Sequence, residues 1–246
     1  RSGEFYTRRP IVVYEYQKGR DHQKPLDFYK DYKGVLVTDS LQQYHLVDKK
    51  LPDVTNANCW AHARRDFADA VKAADKKDPS SVRQSVAYQA LQKIAEFYNA
   101  DTELKGLSSR ERLQKRQEVI KPMVEEFFAW VKQQVSDCTV PPKSKTGQGL
   151  NFVINQEKYL RIFLEDGDVP IDNSASERAI RTFCLGKKNW MFHNTAKGAS
   201  ASAMVYSISE TAKLNHLRPY YYFKYILAQL PKLCDEKGNI DPEKLD

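Results

Sequence analysis

The stretch Gly34-Val-Leu-Val-Thr-Asp-Ser-Leu-Gln-Gln-Tyr44 decides the fold. A continuous apolar run opened by a glycine and preceded by a helical segment reads as a buried, parallel strand. The preceding segment, residues 22–32, sets Leu26 and Tyr29 among charges at helical spacing. Farther upstream, PIVVYEYQ (10–17) alternates Ile11, Val13 and Glu15 against Val12, Tyr14 and Tyr16, and reads as another strand. Its expected hairpin partner is GEFYTRRP, residues 3–10. Strand, helix, strand is an α/β order. The apolar run delivers Asp39 directly before a short helical segment at about 40–47. An aspartate there can cap the helix, or it can hold a metal ion, because open α/β sheets place their sites at the carboxyl ends of strands. The residues alone leave both readings open.

Downstream, VTNANCWA after Pro52 reads as a weaker strand leading into one helix, AHARRDFADAVKAA. From about 76 to 140 strand signals cease. Ala87, Ala90, Leu91, Ile94, Phe97 and Tyr98 recur at helical spacing, as do Leu113, Ile120, Val124, Phe127, Val131 and Val135. Ser108 and Glu111 make a capping-box signature ahead of the second series. This region reads as an antiparallel helical insertion, closed by the loop PPKSKTGQG (141–149). The expected organisation is a first core part (1–75), the insertion (76–150) and a second core part (151–246). In the last part a helix with Ala201, Met204, Val205, Ile208 and Ala212 on one face precedes another at about 219–230, ended by Pro231.

Composition narrows the class. The 246 residues are long enough to bury a substantial core, and no apolar run approaches the roughly 20 residues needed to span a bilayer, so no membrane partner is expected. Lys and Arg number 39 against 32 acidic residues, a net charge of +7 that favours a polyanionic partner. Cys59, Cys138, Cys184 and Cys234 lie far apart with no secretory signal, the pattern of free thiols in an intracellular protein. RSGEFYTRRP lacks an initiator methionine, and the chain is expected to begin partway into a longer protein.

Several residues could carry chemistry. In Asp172-Asn-Ser-Ala-Ser-Glu177-Arg178-Ala-Ile-Arg181, a helix would set Asn173, Glu177 and Arg181 on one broad face, able to hold a metal and touch a phosphate. Ser174 with Glu177 is equally a capping box, and Glu177 with Arg181 an ordinary helical ion pair. Cys59 and His62 have a metal-like spacing, but no second pair completes a zinc site, so His62, Arg64 and Arg65 read better as a basic rim for a phosphodiester. Lys187, Lys188 and Trp190 combine cations with an aromatic ring, a nucleic-acid-binding combination, although Trp190 and Phe192 equally suit the core of a strand. A phosphate-binding glycine loop and a G-x-S-x-G elbow are both missing from the sequence.

The runs GVLVTDSLQQY, CWAHARRDF, DNSASERAIR and GKKNWMFHNTAKGASASAMVYSISETAKLNHLRPYYYF, in that order, closely resemble transposases of the insertion sequence 66 family, of the DDE class. The resemblance covers essentially the whole chain. It implies an RNase H-like fold, a mixed sheet with flanking helices, in which two aspartates and a glutamate bind two Mg²⁺ or Mn²⁺ ions for DNA strand cleavage and transfer. By position Asp39 corresponds to the second acid and Glu177 to the third. The first acid and the opening strand are expected before Arg1, so this stretch alone is expected to be inactive. The resemblance further implies DNA as partner, through His62, Arg64, Arg65, Arg178, Arg181, Lys187, Lys188 and Trp190. It also implies self-association in a transposition complex, possible accessory proteins and a bacterial cytoplasmic location at the nucleoid. The rivals are a noncatalytic DNA-binding or accessory protein of the same fold and a nuclease without strand transfer.

Overall fold

The computed structural model describes residues 10–19, 21, 23–75, 79–235 and 238–241. The chain divides into two compact units, Gly19–Ala175 and Arg1–Lys18 with Ser176–Asp246. In chain order the elements are α1 (Gln23–Tyr29), β1 (Gly34–Thr38), α2 (Gln42–Lys50), β2 (Val54–Asn58), α3 (Trp60–Ala63), α4 (Arg65–Asp75), α5 (Pro79–Val82), α6 (Val86–Glu103), α7 (Ser109–Lys115), a π turn (Arg116–Ile120) and α8 (Lys121–Ser136). They continue with α9 (Lys145–Asn155), α10 (Glu157–Leu160), a 3₁₀ turn (Ile162–Leu164), α11 (Ser174–Trp190), α12 (Ala196–Leu214) and α13 (Pro219–Leu233). The protein is mixed α/β and mostly helical.

In the Gly19–Ala175 unit, the apolar run forms β1 as expected. Gly34 enters it at φ 134°, a conformation that suits glycine, and donates its N–H to Asp53 O at 2.9 Å. Helix α2 returns the chain so that β2 pairs in parallel, in register from Gly34 with Val54 to Thr38 with Asn58. Leu36 packs with the buried Leu26, Val47 and Val54, while Val35 and Val37 pack on a larger cluster that includes Ala57. Both faces of β1 are thus covered, which is why its sequence is continuously apolar rather than alternating.

That larger cluster is centred on Trp60, whose indole N–H donates to Leu160 O at 2.8 Å and whose ring lies 4.7 Å from that of Phe97. Ala87, Ala90, Ile94 and Phe97 of α6 and Val124, Phe127, Phe128 and Val131 of α8 are buried in it, as the helical spacing predicts, while Val135 is exposed. The expected capping box at Ser108 and Glu111 is present. Buried positions run 112, 116, 120, 124 and 128. At 3.6 residues per turn a spacing of four drifts about 40° each step, so a straight α-helix could not keep all five inward. The π turn at Arg116–Ile120 underwinds the helix and holds them on one side.

The expected helix over 61–74 is two: it breaks at Arg64, the C-cap of α3. The first expected strand is also corrected. Residues 10–17 form no strand, and among the described residues the sheet has two parallel strands rather than a mixed set. The hairpin arm falls on residues 3–9, outside the described residues. Within its own unit the 10–17 segment lies along α12. Thr211 Oγ1 accepts from Val12 N (3.0 Å) and donates to Val12 O (3.1 Å), Ser207 Oγ accepts from Tyr14 N (2.8 Å), and Asn215 Nδ2 donates to Pro10 O (2.9 Å). Ser207, Thr211 and Asn215, four residues apart, satisfy this backbone from a helix face. The predicted face of α12 is met in part: Ala212 is buried and Ile208 half-buried, whereas Ala201, Met204 and Val205 are exposed and Ala199 and Ala203 are buried instead. Helix α13 runs through Pro231 to Leu233 rather than stopping at it.

Candidate functional site

Asp39 follows β1 directly, beside the end of β2. Ser40 adopts φ 69°, turning the chain sharply before α2. The N-cap of α2 is Leu41, with no side-chain cap bond, so Asp39 does not take up the helix-capping alternative. Its carboxylate is half-buried and accepts a long hydrogen bond from Leu41 N, 3.4 Å. The neighbouring Tyr44 phenol is held above its usual pKa, first by burial and then by the negative charge of Asp39.

The strand ends next to Asp39 carry a polar network that the sequence reading missed. Thr38 Oγ1 donates to Asn56 Oδ1 (3.0 Å), Asn56 Nδ2 to Asn58 Oδ1 (3.1 Å) and Asn58 Nδ2 to Gln156 Oε1 (2.8 Å). Thr38, Asn56 and Asn58 are buried. His45 lies 3.5 Å from Asn58 Nδ2 and stacks on Tyr159 with ring centroids 4.4 Å apart. Burial holds its pKa below the ordinary histidine value, so the imidazole is neutral at pH 7. The signal was available: Asn56 and Asn58 alternate on one face of β2, where an apolar pair would be ordinary.

The CWAHARR segment begins at Cys59, the N-cap of α3. The Cys59 thiol is pushed up to about 11, above all by burial, and its sulfur accepts a hydrogen bond from Asn173 N at 3.3 Å. Trp60 N donates to Ile171 O at 3.2 Å. The segment ahead of α11 is therefore docked on the turn after β2. Asp172 sits there too: it accepts a bond from Ser174 N (2.9 Å), and its charge, after burial, raises the Tyr98 phenol. His62 is half-buried, while Arg64 and Arg65 are exposed.

Helix α11 starts at Ser174, so Asn173 lies just before it rather than on the helical face expected with Glu177 and Arg181. Glu177 is half-buried in the first turn, where the helix dipole favours a negative charge. Arg178, Arg181, Lys187 and Lys188 are exposed along the helix. Trp190 is in that helix, not in a strand, and lies against Phe183 (5.1 Å) and His193 (4.4 Å). Asp39 falls in the Gly19–Ala175 unit and Glu177 in the other. Among the described residues no group of three His, Cys, Asp or Glu side chains gathers closely enough to hold a metal ion.

The description "Transposase IS66 family" matches residues 2–201, and the chain belongs to that family. It is 29% identical over 91% of its length to uncharacterized protein y4hP of Sinorhizobium fredii (strain NBRC 101917 / NGR234), and 27% identical over 91% to uncharacterized protein y4qI of the same organism. Those matches cover 42% and 41% of the relatives, so the chain spans less than half their length. No solved structure matches it significantly. Among the described residues no helix is long and apolar enough to cross a membrane.

Proposed function

We propose that the chain forms the catalytic region of a DNA transposase whose whole protein cleaves transposon ends and joins them to target DNA by metal-dependent phosphoryl transfer. The observation that carries this reading is family membership over residues 2–201 together with an aspartate, Asp39, at the carboxyl end of a parallel strand. The β1–α2–β2 crossover supports an RNase H-like core, with 76–150 as its helical insertion. Asp39 and Glu177 are the proposed ligands of Mg²⁺ or Mn²⁺, as hard oxygen donors suited to such ions. A bound cation pair would stabilise charge on the reacting phosphate. Two carboxylates leave that pair short of ligands, so the chemistry at the metals belongs to the longer protein. This chain's own contribution is to orient and grip DNA: His62, Arg64, Arg65, Arg178, Arg181, Lys187 and Lys188 neutralise the backbone. The packing of Trp190 among Phe183 and His193 makes it a support for that basic helix rather than an open stacking platform.

A noncatalytic DNA-binding reading draws on one observation, the incomplete ligand set among the described residues. Cleavage and strand-transfer assays on the full-length protein with Mg²⁺ or Mn²⁺ separate the two. Asp39→Asn and Glu177→Gln should each abolish both steps while DNA binding persists. Wild-type rates in both variants would refute the assignment, and a wild-type protein that binds DNA without cutting it would support the noncatalytic reading.

A further inference from the structure

Helix α13 follows the matched residues 2–201, and the proposed chemistry makes no use of it. Its sequence, PYYYFKYILAQLPKL, is apolar almost all round, as in a helix buried on every side, yet none of its residues is buried. Tyr222, Phe223, Ile226 and Leu230 form a half-buried stripe. Opposite it, Tyr220, Tyr221 and Tyr225 are 73%, 60% and 61% exposed, with Lys224 on the same face. Tyr220 and Tyr221 meet edge to face, ring centroids 5.3 Å apart, and both stay mostly exposed. The charge on this region has one sign: between Glu210 and Asp235 the chain carries Lys213, His216, Arg218, Lys224 and Lys232 and no acidic residue.

We propose that this face of α13 binds single-stranded DNA, with unpaired bases stacking on Tyr221 and Tyr225 and with Lys224 and Arg218 neutralising the backbone. The inference rests on the transposase reading for the kind of polyanion. Open aromatic faces interleaved with cations are the combination that grips unpaired nucleotides without regard to sequence. A second copy of the chain fits the same face poorly. A two-fold contact would set this basic stripe against itself, with no carboxylate on it to balance the charge.

The test is fluorescence anisotropy of the chain with fluorescein-labelled oligothymidylate and, separately, with a mixed-sequence duplex. Tyr221→Ala/Tyr225→Ala should weaken oligothymidylate binding by about tenfold or more and duplex binding by much less. Lys224→Gln should lower the slope of log affinity against log salt by about 0.7. Tyr221→Phe/Tyr225→Phe should bind nearly as the wild type does, since the rings are kept. These positions are exposed, so circular dichroism should be unchanged in every variant. The inference is overturned if the wild type does not bind oligothymidylate, if the alanine pair binds it unchanged, or if the phenylalanine pair binds as weakly as the alanine pair. It is equally overturned if sedimentation shows the alanine pair breaking a dimer without changing DNA affinity. The two readings fail separately: duplex binding unaffected by Arg178→Gln/Arg181→Gln counts against the proposed function, not against stacking on α13.

Discussion

Replacing Arg116 by methionine should be among the most damaging single changes in the Gly19–Ala175 unit. The side chain is 1% exposed. Its Nη1 lies 2.8, 2.8 and 2.7 Å from the carbonyl oxygens of Phe163, Asp166 and Val169, its Nε donates to Asp101 Oδ1 at 2.7 Å, and its guanidinium lies over the Phe163 ring. Methionine fills much of the space but donates nothing, so buried carbonyls and a nearly buried carboxylate lose their partner together. Removing one member of a buried ion pair costs about 3–5 kcal/mol, and the stranded carbonyls keep the value at the upper end of that range. With a urea dependence of about 3 kcal/mol per molar, the midpoint should fall by roughly 1.3–1.7 M in a titration followed by tryptophan fluorescence. Arg116→Lys should recover little, because one ammonium cannot reproduce the planar fork. Asp101→Asn combined with Arg116→Met should cost less than the two singly, since no unpaired charge remains. A midpoint shift for Arg116→Met below about 0.3 M would refute the clamp. The clamp matters beyond stability: with Arg112, which donates to Gly167 O at 2.8 Å, Arg116 fixes the backbone of 163–169 that leads to Asp172 and the start of α11.

Gly167→Ala should destabilise the same segment by about 1–3 kcal/mol, because its Cβ would come 2.0 Å from Ser109 O, a backbone atom that cannot step aside; an unchanged melting temperature would count against it. Thr211→Val removes both bonds to Val12, and hydrogen exchange at the Val12 amide should accelerate by about fivefold or more. Equal exchange in the variant would show that the 10–17 segment is held otherwise. Cys59, with its thiol pushed up to about 11 from 9.0, should resist alkylation at pH 8 while the exposed Cys138 and Cys184 react. The folded state keeps the Cys59 proton longer than the unfolded state does. Its contribution is therefore complete below about pH 9 and lost as pH rises to about 11, and a Cys59→Ala variant should lose less stability across that window.

What could be read from the sequence follows from what each pattern specifies. The run at 34–38 and the spacings through α6 and α8 specify burial, and burial is what those elements do. Alternation at 10–17 separates two faces, of which the one with Val12 is in part buried, but alternation names no partner. Hydroxyl and amide side chains of α12 supply the bonds that a sheet was expected to give. Hydropathy also hid Arg112 and Arg116, because their burial is driven by carbonyl acceptors, not by apolar area. For α12, Ser207, Thr211 and Asn215 bond the backbone of 10–14, an attachment hydropathy does not mark, while the apolar Met204 and Val205 stay exposed.

The same distinction applies at Asp39. Strand polarity puts an aspartate at a carboxyl end, where sites belong, and that much is legible from eleven residues. A carboxylate is held in one place only if the strand end beneath it is rigid, and here rigidity has a physical source largely outside the motif. Thr38, Asn56, Asn58 and Gln156 form an unbroken hydrogen-bonded row across both strands. Buried polar groups are costly when half-satisfied and stiffening when each is paired. An apolar core at these positions would cover the strand ends as well but would leave the turn through Ser40 free to shift. The row therefore does for the backbone carrying Asp39 what the Arg112 and Arg116 clamp does for the backbone entering α11: each fixes a segment from beneath, and of these side chains only Thr38 lies in a motif shared with the family.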